Sequence, residues 1–289
     1  LVDAQKHPNG VYITKIDLFF RSKDEQIPVS VQIRPTNNGY PDSALIVPFG
    51  KVDIPPADVV LPENPFDNES VLASPTEVAF PSPVYLEPGE YAVVLLSNSN
   101  NYETYITEMG AEILGSSNRI TEQPYAGSLF KSQNASTWTA EQTQDLMFRL
   151  YKANFDTSVV GEAVLGQYES EDMYPWQVFK SVVETIDPSD ATDIKFYYKG
   201  TTLVNAENEA LEPEQAIDTG WTEYIPDENV FANREMGAGP EAGTFYFKYN
   251  MTSTSVDVSP AIDIEPARAL LIDQLINDGQ ISSEEIVLQ

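Results

Sequence analysis

The chain has 289 residues, about twice an ordinary single domain, so one large or two medium domains are expected. Asp and Glu number 45 against 16 Lys and Arg, a formal charge of −29, and such a chain repels phosphate backbones and anionic lipid heads. Cysteine is absent and histidine occurs once, which excludes disulfides, thiolate nucleophiles, iron–sulfur clusters and Cys/His zinc sites, while 42% hydrophobic residues suffice for a real core.

No stretch approaches the roughly 18 consecutive apolar residues of a membrane-spanning helix. The start, Leu1-Val2-Asp3-Ala4-Gln5-Lys6, is too polar for a signal-peptide core and lacks an initiator Met. It reads as a piece of a longer polypeptide or a processed product. Nucleic acid and membrane insertion are not expected partners.

Val11 to Phe20 is rich in β-branched and aromatic residues, and Ile16, Leu18 and Phe20 alternate with Asp17 and Phe19, the period of a half-buried strand. In Pro28 to Arg34, Val29, Val31 and Ile33 face one side and Ser30, Gln32 and Arg34 the other. Asn38-Gly39 then supplies the positive φ of a tight turn. Pro55-Pro56 and the stretch from Leu61 to Pro75, with Pro62, Pro65 and Pro75, suit a long surface loop. Val84-Tyr85-Leu86, a Pro88-Gly89 turn and Tyr91 to Ser97 predict two joined strands, the second apolar enough to be buried on both faces. Tyr102 to Met109, Gly127 to Lys131 and Leu146 to Lys152 add three more, so six or seven strands make one sandwich.

A boundary is expected near Ala153 to Thr157. Beyond it the strand pattern restarts at Val159 to Leu165, Val178 to Ile186, Ile194 to Lys199, Thr219 to Ile225 and Thr244 to Thr252, with a breaker at Gly237 to Gly243. No fixed-period repeat argues for a solenoid or propeller. At the C-terminus, Pro266 suits the first position of a helix, with Ala267, Leu270, Leu271, Gln274 and Leu275 at helical spacing and Gly279 as a stop. Ser282 and Glu285 suit a capping box. The expectation is an all-β chain of two tandem antiparallel β-sandwich domains, jelly-roll or Ig-like, at 1–154 and 155–258, with a short helical or extended arm at 259–289. That arm either docks on its own sheet or buries its apolar face on a neighbouring subunit.

No constellation of residues carries chemistry. His7 precedes Pro8-Asn9-Gly10 and reads as an exposed loop histidine, and no Gly-x-Ser-x-Gly elbow offers it a nucleophile. Paired carboxylates could hydrolyse glycosides, but 45 acids make proximity by chance nearly certain, and only burial with a raised pKa would mark a catalytic acid. Asp187, Asp190 and Asp193 have the wrong spacing for an EF-hand and read as a solvated loop. Trp138, Trp176 and Trp221 could stack on sugar rings, although aromatic residues in strands more often fill cores. Asn68-Glu69-Ser70, Asn134-Ala135-Ser136 and Asn250-Met251-Thr252 match a glycosylation sequon that chance explains. There is no phosphate-cradling glycine loop or dinucleotide fingerprint. No catalytic, cofactor or metal residues are assigned, and the chain is read as non-enzymatic.

Particular strings carry a resemblance. Gly10 to Asp24, Ile27 to Pro35, Asn38-Gly39-Tyr40-Pro41, Phe80 to Leu86, Tyr91 to Asn100, Glu122 to Gly127 and Lys131 to Thr139 follow in an order that resembles the large virion structural proteins of T4-like myophages, especially cyanophages, usually assigned to the baseplate or tail. The resemblance covers most of residues 10 to 155, and Val258 to Ile264 is similar to a segment in the later region of the same proteins. In those proteins the segment after Asp263 tends to be extended, whereas here it reads helical. The resemblance implies a β-rich module of a contractile phage tail, made in the host bacterial cytoplasm and resident in the virion. Its expected partners are other tail or baseplate proteins and copies of itself. A receptor- or glycan-binding module of a tail fibre, touching host surface glycan, and a secreted carbohydrate-binding or depolymerising protein are the alternatives.

Overall fold

The computed structural model describes residues 1–122, 127–169, 178–186, 189–202, 217–218, 220–224 and 244–272. They are almost entirely β. The chain divides into two compact units, Leu1–Phe155 with Ser255–Val258, and Asp156–Thr254 with Ser259–Gln289. The partition is not linear along the chain, because four residues from the later region pack with the first unit.

In the first unit the strands are β1 (Val11–Leu18), β2 (Phe20–Ser22), β3 (Val29–Asn37), β4 (Tyr40–Pro41), β5 (Lys51–Ile54), β6 (Thr76–Leu86), β7 (Tyr91–Leu96), β8 (Glu103–Thr104), β9 (Ile106–Glu108), β10 (Leu129–Lys131), β11 (Thr139–Glu141), β12 (Gln144–Leu146) and β13 (Phe148–Lys152). That exceeds the six or seven expected, because several are two or three residues long. One antiparallel sheet has the order β13-β1-β6, and a second is built on β3, flanked by β5 and β7 and closed at one end by β4. Both sheets feed one cluster: Ile16 and Leu18 from β1, Val78 and Val84 from β6, Val31 and Ile33 from β3. That is the sandwich the alternation predicts.

Bulges keep the apolar residues on the core face. On β1, Val11 and Ile13 are buried at odd positions and Ile16 and Leu18 at even ones. The ladder shifts between Ile13 and Lys15, and the extra residue, Thr14, restores the face. On β6 the same irregularity absorbs Pro81 and Pro83, between Ala79 and Val84, where their missing N–H groups break no ladder bond. The Asn38-Gly39 turn has φ of 51° and 80° and pairs Asn37 with Tyr40, the left-handed pair of a two-residue hairpin.

Three expectations for this unit are corrected. β1 is buried on both faces, with Asp17 as covered as Ile16, because the side chains of Lys15, Arg149 and Tyr151 lie against Asp17. β7 is half-buried along most of its length because, among the described residues, it is an edge strand pairing with β3 alone. The region from Leu61 to Pro75 is not a featureless loop. It holds helix α1 (Asn68–Leu72), whose N-cap Asp67 accepts from the Ser70 N–H, and it buries Val71.

The second unit contains β14 (Gly161–Glu169), β15 (Val178–Ile186), β16 (Thr192–Thr202), β17 (Ile217–Asp218), β18 (Thr222–Tyr224), β19 (Thr244–Ser253) and β20 (Ala261–Ile272). β14, β19 and β16 form an antiparallel sheet in that order, with β17 and β18 sharing the far edge of β16, while β15 and β20 form a separate ladder. Of the helical and extended conformations expected after Pro266, the chain takes the extended one, a strand as far as Ile272. A partner strand far back in the sequence outweighs helical spacing, and Pro266 falls in the register shift opposite Val182 to Glu184. From Ser259 the chain groups with the second unit. Gln274, Leu275, Gly279, Ser282 and Glu285 lie outside the described residues, as does the Gly237–Gly243 breaker.

Candidate functional site

Four polar groupings stand out, three in the first unit and one in the second. On β1 the Asp17 carboxylate is 2% exposed. Its Oδ2 accepts from the Tyr151 hydroxyl at 2.7 Å and lies 3.9 Å from the Arg149 guanidinium, and its Oδ1 lies 3.5 Å from Lys15 Nζ. The hydrogen bond to Asp17, with burial and the same carboxylate charge, pushes the Tyr151 hydroxyl above its ordinary pKa. Lys15 also reaches Glu77 at 3.2 Å. The grouping is a charge-balanced lining between β1 and β13.

On β3, Arg34 is buried, yet its partners are neutral oxygens. Nε and Nη2 donate to Gln32 Oε1 at 2.9 and 2.7 Å, and Nη1 donates to the carbonyls of Asp42, Ser43 and Ala135. The guanidinium fork ties the strand to two loops at once. Close by, Ser30, Asp53, Ser97, Asn98 and Ser132 to Ala135 line an open groove of about 510 Å³, with Ile27, Pro28, Leu95 and Leu96 as its apolar part. A hydrogen bond from Ser30 holds the Asp53 carboxyl below its ordinary value, so the groove presents a carboxylate among hydroxyls and amides.

The third grouping joins distant parts of the sequence. Asp257 accepts from Lys152 and pairs with His7 Nδ1 at 2.7 Å. Burial raises the Asp257 carboxyl, but the hydrogen bonds and charges of Lys152 and His7 outweigh it and leave the pKa lowered. His7 is thus half-buried and paired across 250 residues of sequence, not the exposed loop histidine expected from its Pro-Asn-Gly setting.

In the second unit the alternation of β16 and β19 sorts side chains onto two faces. Phe196, Tyr198, Phe247 and Tyr249 lie on one, and Tyr197, Lys199, Tyr246 and Lys248 on the other. Lys248 lies over the Trp221 ring at 4.8 Å and Lys199 at 5.4 Å, and these ammoniums also meet Glu162 at 2.5 Å and Asp218 at 2.6 Å. Of the tryptophans considered for sugar stacking, Trp221 is half-open but already stacked by ammoniums, and Trp138 is half-buried with its indole N–H unpartnered. Trp176 lies outside the described residues.

Among the described residues Asp145, on β12, is the one carboxyl group pushed upward, by burial, and its Oδ2 has no hydrogen-bond partner. A raised carboxyl group that is only half-buried does not by itself mark a catalytic acid. A glycosidase needs a second carboxyl group working with it. Asp187 lies outside the described residues, while Asp190 and Asp193 are exposed, and among the described residues no three acidic or histidine side chains group as a metal site. No described helix is long and apolar enough to cross a membrane.

No protein-family model and no curated protein matches the chain. Among solved structures, the subviral particle of infectious bursal disease virus VP2 is similar over 91% of this chain at 10% identity, with a TM-score of 0.13. The match covers 57% of that chain, and a likeness so slight assigns neither fold nor function.

Proposed function

We propose that this chain is a non-enzymatic structural protein of a contractile-tailed bacteriophage, a tail or baseplate component that works through contacts with other tail proteins and with copies of itself. The structural observation in its support is the set of large apolar side chains left open on the first unit, among them Leu45, Phe49, Phe66, Phe148 and Leu150. Apolar side chains exposed side by side mark surfaces that are covered in an assembly, and Phe148 and Leu150 stand two apart on one face of β13. The resemblance of residues 10 to 155 to myophage virion proteins supplies the kind of assembly. A cysteine-free module suits a reducing host cytoplasm, and a charge of −29 keeps free subunits soluble and apart from the phage's own DNA. The test is to place the chain in a map of intact, gradient-purified particles and identify it there by peptide mass. Absence from every purified particle sinks the reading.

The groove beside β3 favours a second reading, a glycan-binding module of a tail fibre. Its hydroxyl, amide and carboxylate lining matches the hydrogen-bonding needs of a sugar. Binding on a glycan array that disappears with Asn98→Ala would promote this reading over the first.

A further inference from the structure

We propose that β13 is a self-complementary docking edge, and that two copies of this chain pair through it, antiparallel and centred on Leu150. Among the described residues β13 is the terminal strand of its sheet, with β1 as its ladder partner. Its direction of bonding is fixed by neighbouring atoms. The Met147 N–H donates to the Tyr105 carbonyl, the Ala153 N–H to the Tyr12 carbonyl, and the Tyr151 carbonyl accepts from Thr14 Oγ1. Odd-numbered residues thus bond inward, and the two-residue period turns the backbone N–H and C=O groups of Phe148, Leu150 and Lys152 outward. Such an edge is a template for another strand.

The occupant is a second copy, on two grounds. The first is register. With Leu150 opposite its own symmetry mate, both Leu150 residues exchange N–H and C=O bonds as a hydrogen-bonded pair, and Phe148 stands opposite Lys152 on either side. Arg149 then falls opposite Tyr151 in the closer, non-hydrogen-bonded pair, where a guanidinium and an aromatic ring attract. Phe148 and Leu150 pair across from Leu18 and Ile16, so their face continues the core face of the sheet, yet they remain 38% and 47% exposed. A neighbour's sheet would cover that lip.

The second ground is charge. A chain of −29 repels its own copies nearly everywhere. Around β13 the cations Lys15, Arg149 and Lys152 are matched by Asp17, Glu77 and Asp257, so this edge is locally neutral. It is where two such chains meet at least electrostatic cost. The pairing goes beyond the assembly reading and does not rest on it, because it is read from oligomeric state and that reading from particle content.

The whole chain is taken to sedimentation equilibrium at up to about 100 µM, since one strand edge buries less than the roughly 1,200 Å² of a stable interface. The expected result is a reversible dimer whose dissociation constant rises at least tenfold in Leu150→Lys, with the circular dichroism spectrum unchanged. Because the chain has no cysteine, Leu150→Cys offers one thiol per copy. Its two copies should cross-link on mild oxidation, because hydrogen-bonded pairs sit about 5.5 Å apart between Cα atoms, within disulfide reach. Phe148→Cys should not cross-link, since its two copies would stand about 14 Å apart along the strands. A monomer across that range, a dimer indifferent to Leu150→Lys, or equal cross-linking of the two cysteine variants would each overturn the proposal.

Discussion

The two units bury their sheets with different side chains. The first unit's core is mostly aliphatic, with Ile16, Leu18, Val31 and Val84 almost fully covered and contributed by two sheets, and Phe20 and Phe80 among them. The described core of the second is aromatic: Phe196 meets Tyr249 edge-on at 4.3 Å, and Phe247 meets Tyr249 at 5.9 Å. An aromatic side chain buries roughly 150 to 250 Å², so a few rings reaching along one sheet face cover what takes many branched side chains elsewhere. The lesson concerns concentration. Burial in the first unit is spread over fifteen residues of one cluster, while among the described residues of the second the ring contacts converge on Tyr249.

The contrast breaks if single truncations cost the same in both units. Tyr249→Ala should cost about 4 kcal/mol and Leu18→Ala about 3, read as urea midpoints at constant slope. Replacement of each by leucine sharpens it. Ile16→Leu should cost less than about 1.5 kcal/mol, because an aliphatic core repacks around a shape change. Tyr249→Leu should cost more, since it also forfeits two edge-on ring contacts worth roughly 0.5 to 1.5 kcal/mol each. Equal losses for these two variants would mean that ring geometry contributes nothing beyond area.

The polar faces differ as the cores do. Arg34 in the first unit is 6% exposed and serves Gln32 and three loop carbonyls, whereas Lys248 in the second pairs with a half-exposed Glu162. Arg34→Met should cost about 2 to 3 kcal/mol, because it strands buried acceptors. Lys248→Met should cost less, about 1 kcal/mol, because Glu162 is half-exposed although the Lys248 side chain is only 13% exposed. Arg34→Lys should not rescue the first, since one ammonium cannot reproduce a planar fork. Thermal melts of the three variants give the ranking, and a harmless Arg34→Met would remove the idea that this side chain locks the loops.

Much of this was legible in the sequence, and the misses share a cause. Period-2 runs from Val11 to Leu18 and from Val29 to Arg34 marked true strands, and Asn38-Gly39 marked a true hairpin, because both signals are local. Position within a sheet is not local. β1 alternates like a surface strand and lies at the centre, while β7 is continuously apolar and lies at an edge. The segment from Pro266 to Leu271 has helical spacing, yet its ladder to Val178–Ile186 decides its state. The same holds for the polar groupings. Nothing around His7 announces Asp257, and the polar face of β3 gave no sign that Arg34 would be enclosed by loop carbonyls. Asp145 could be found only from burial, a quantity that its neighbours in sequence do not carry.

The smallest expected effect compares one carboxylate from each unit under acid. Asp257 and Asp218 are both held below the ordinary carboxyl value of 3.8, the first by Lys152 and His7 against the pull of burial, the second chiefly by Lys199. A carboxyl group lowered in the folded state binds its proton later than in the unfolded chain. Its contribution is therefore complete above the ordinary value and disappears as pH falls through the folded one. Asp257 is 13% exposed and Asp218 54%, so solvent screens the second pair more. At pH 7, Asp257→Asn should cost about 1 kcal/mol and Asp218→Asn less. Urea unfolding repeated in steps below pH 4 should show the Asp257→Asn deficit closing, with the smaller Asp218→Asn deficit closing alongside it. A deficit that persists unchanged into acid would mean that Asp257 holds Ser255–Val258 through shape alone and that its charge is incidental.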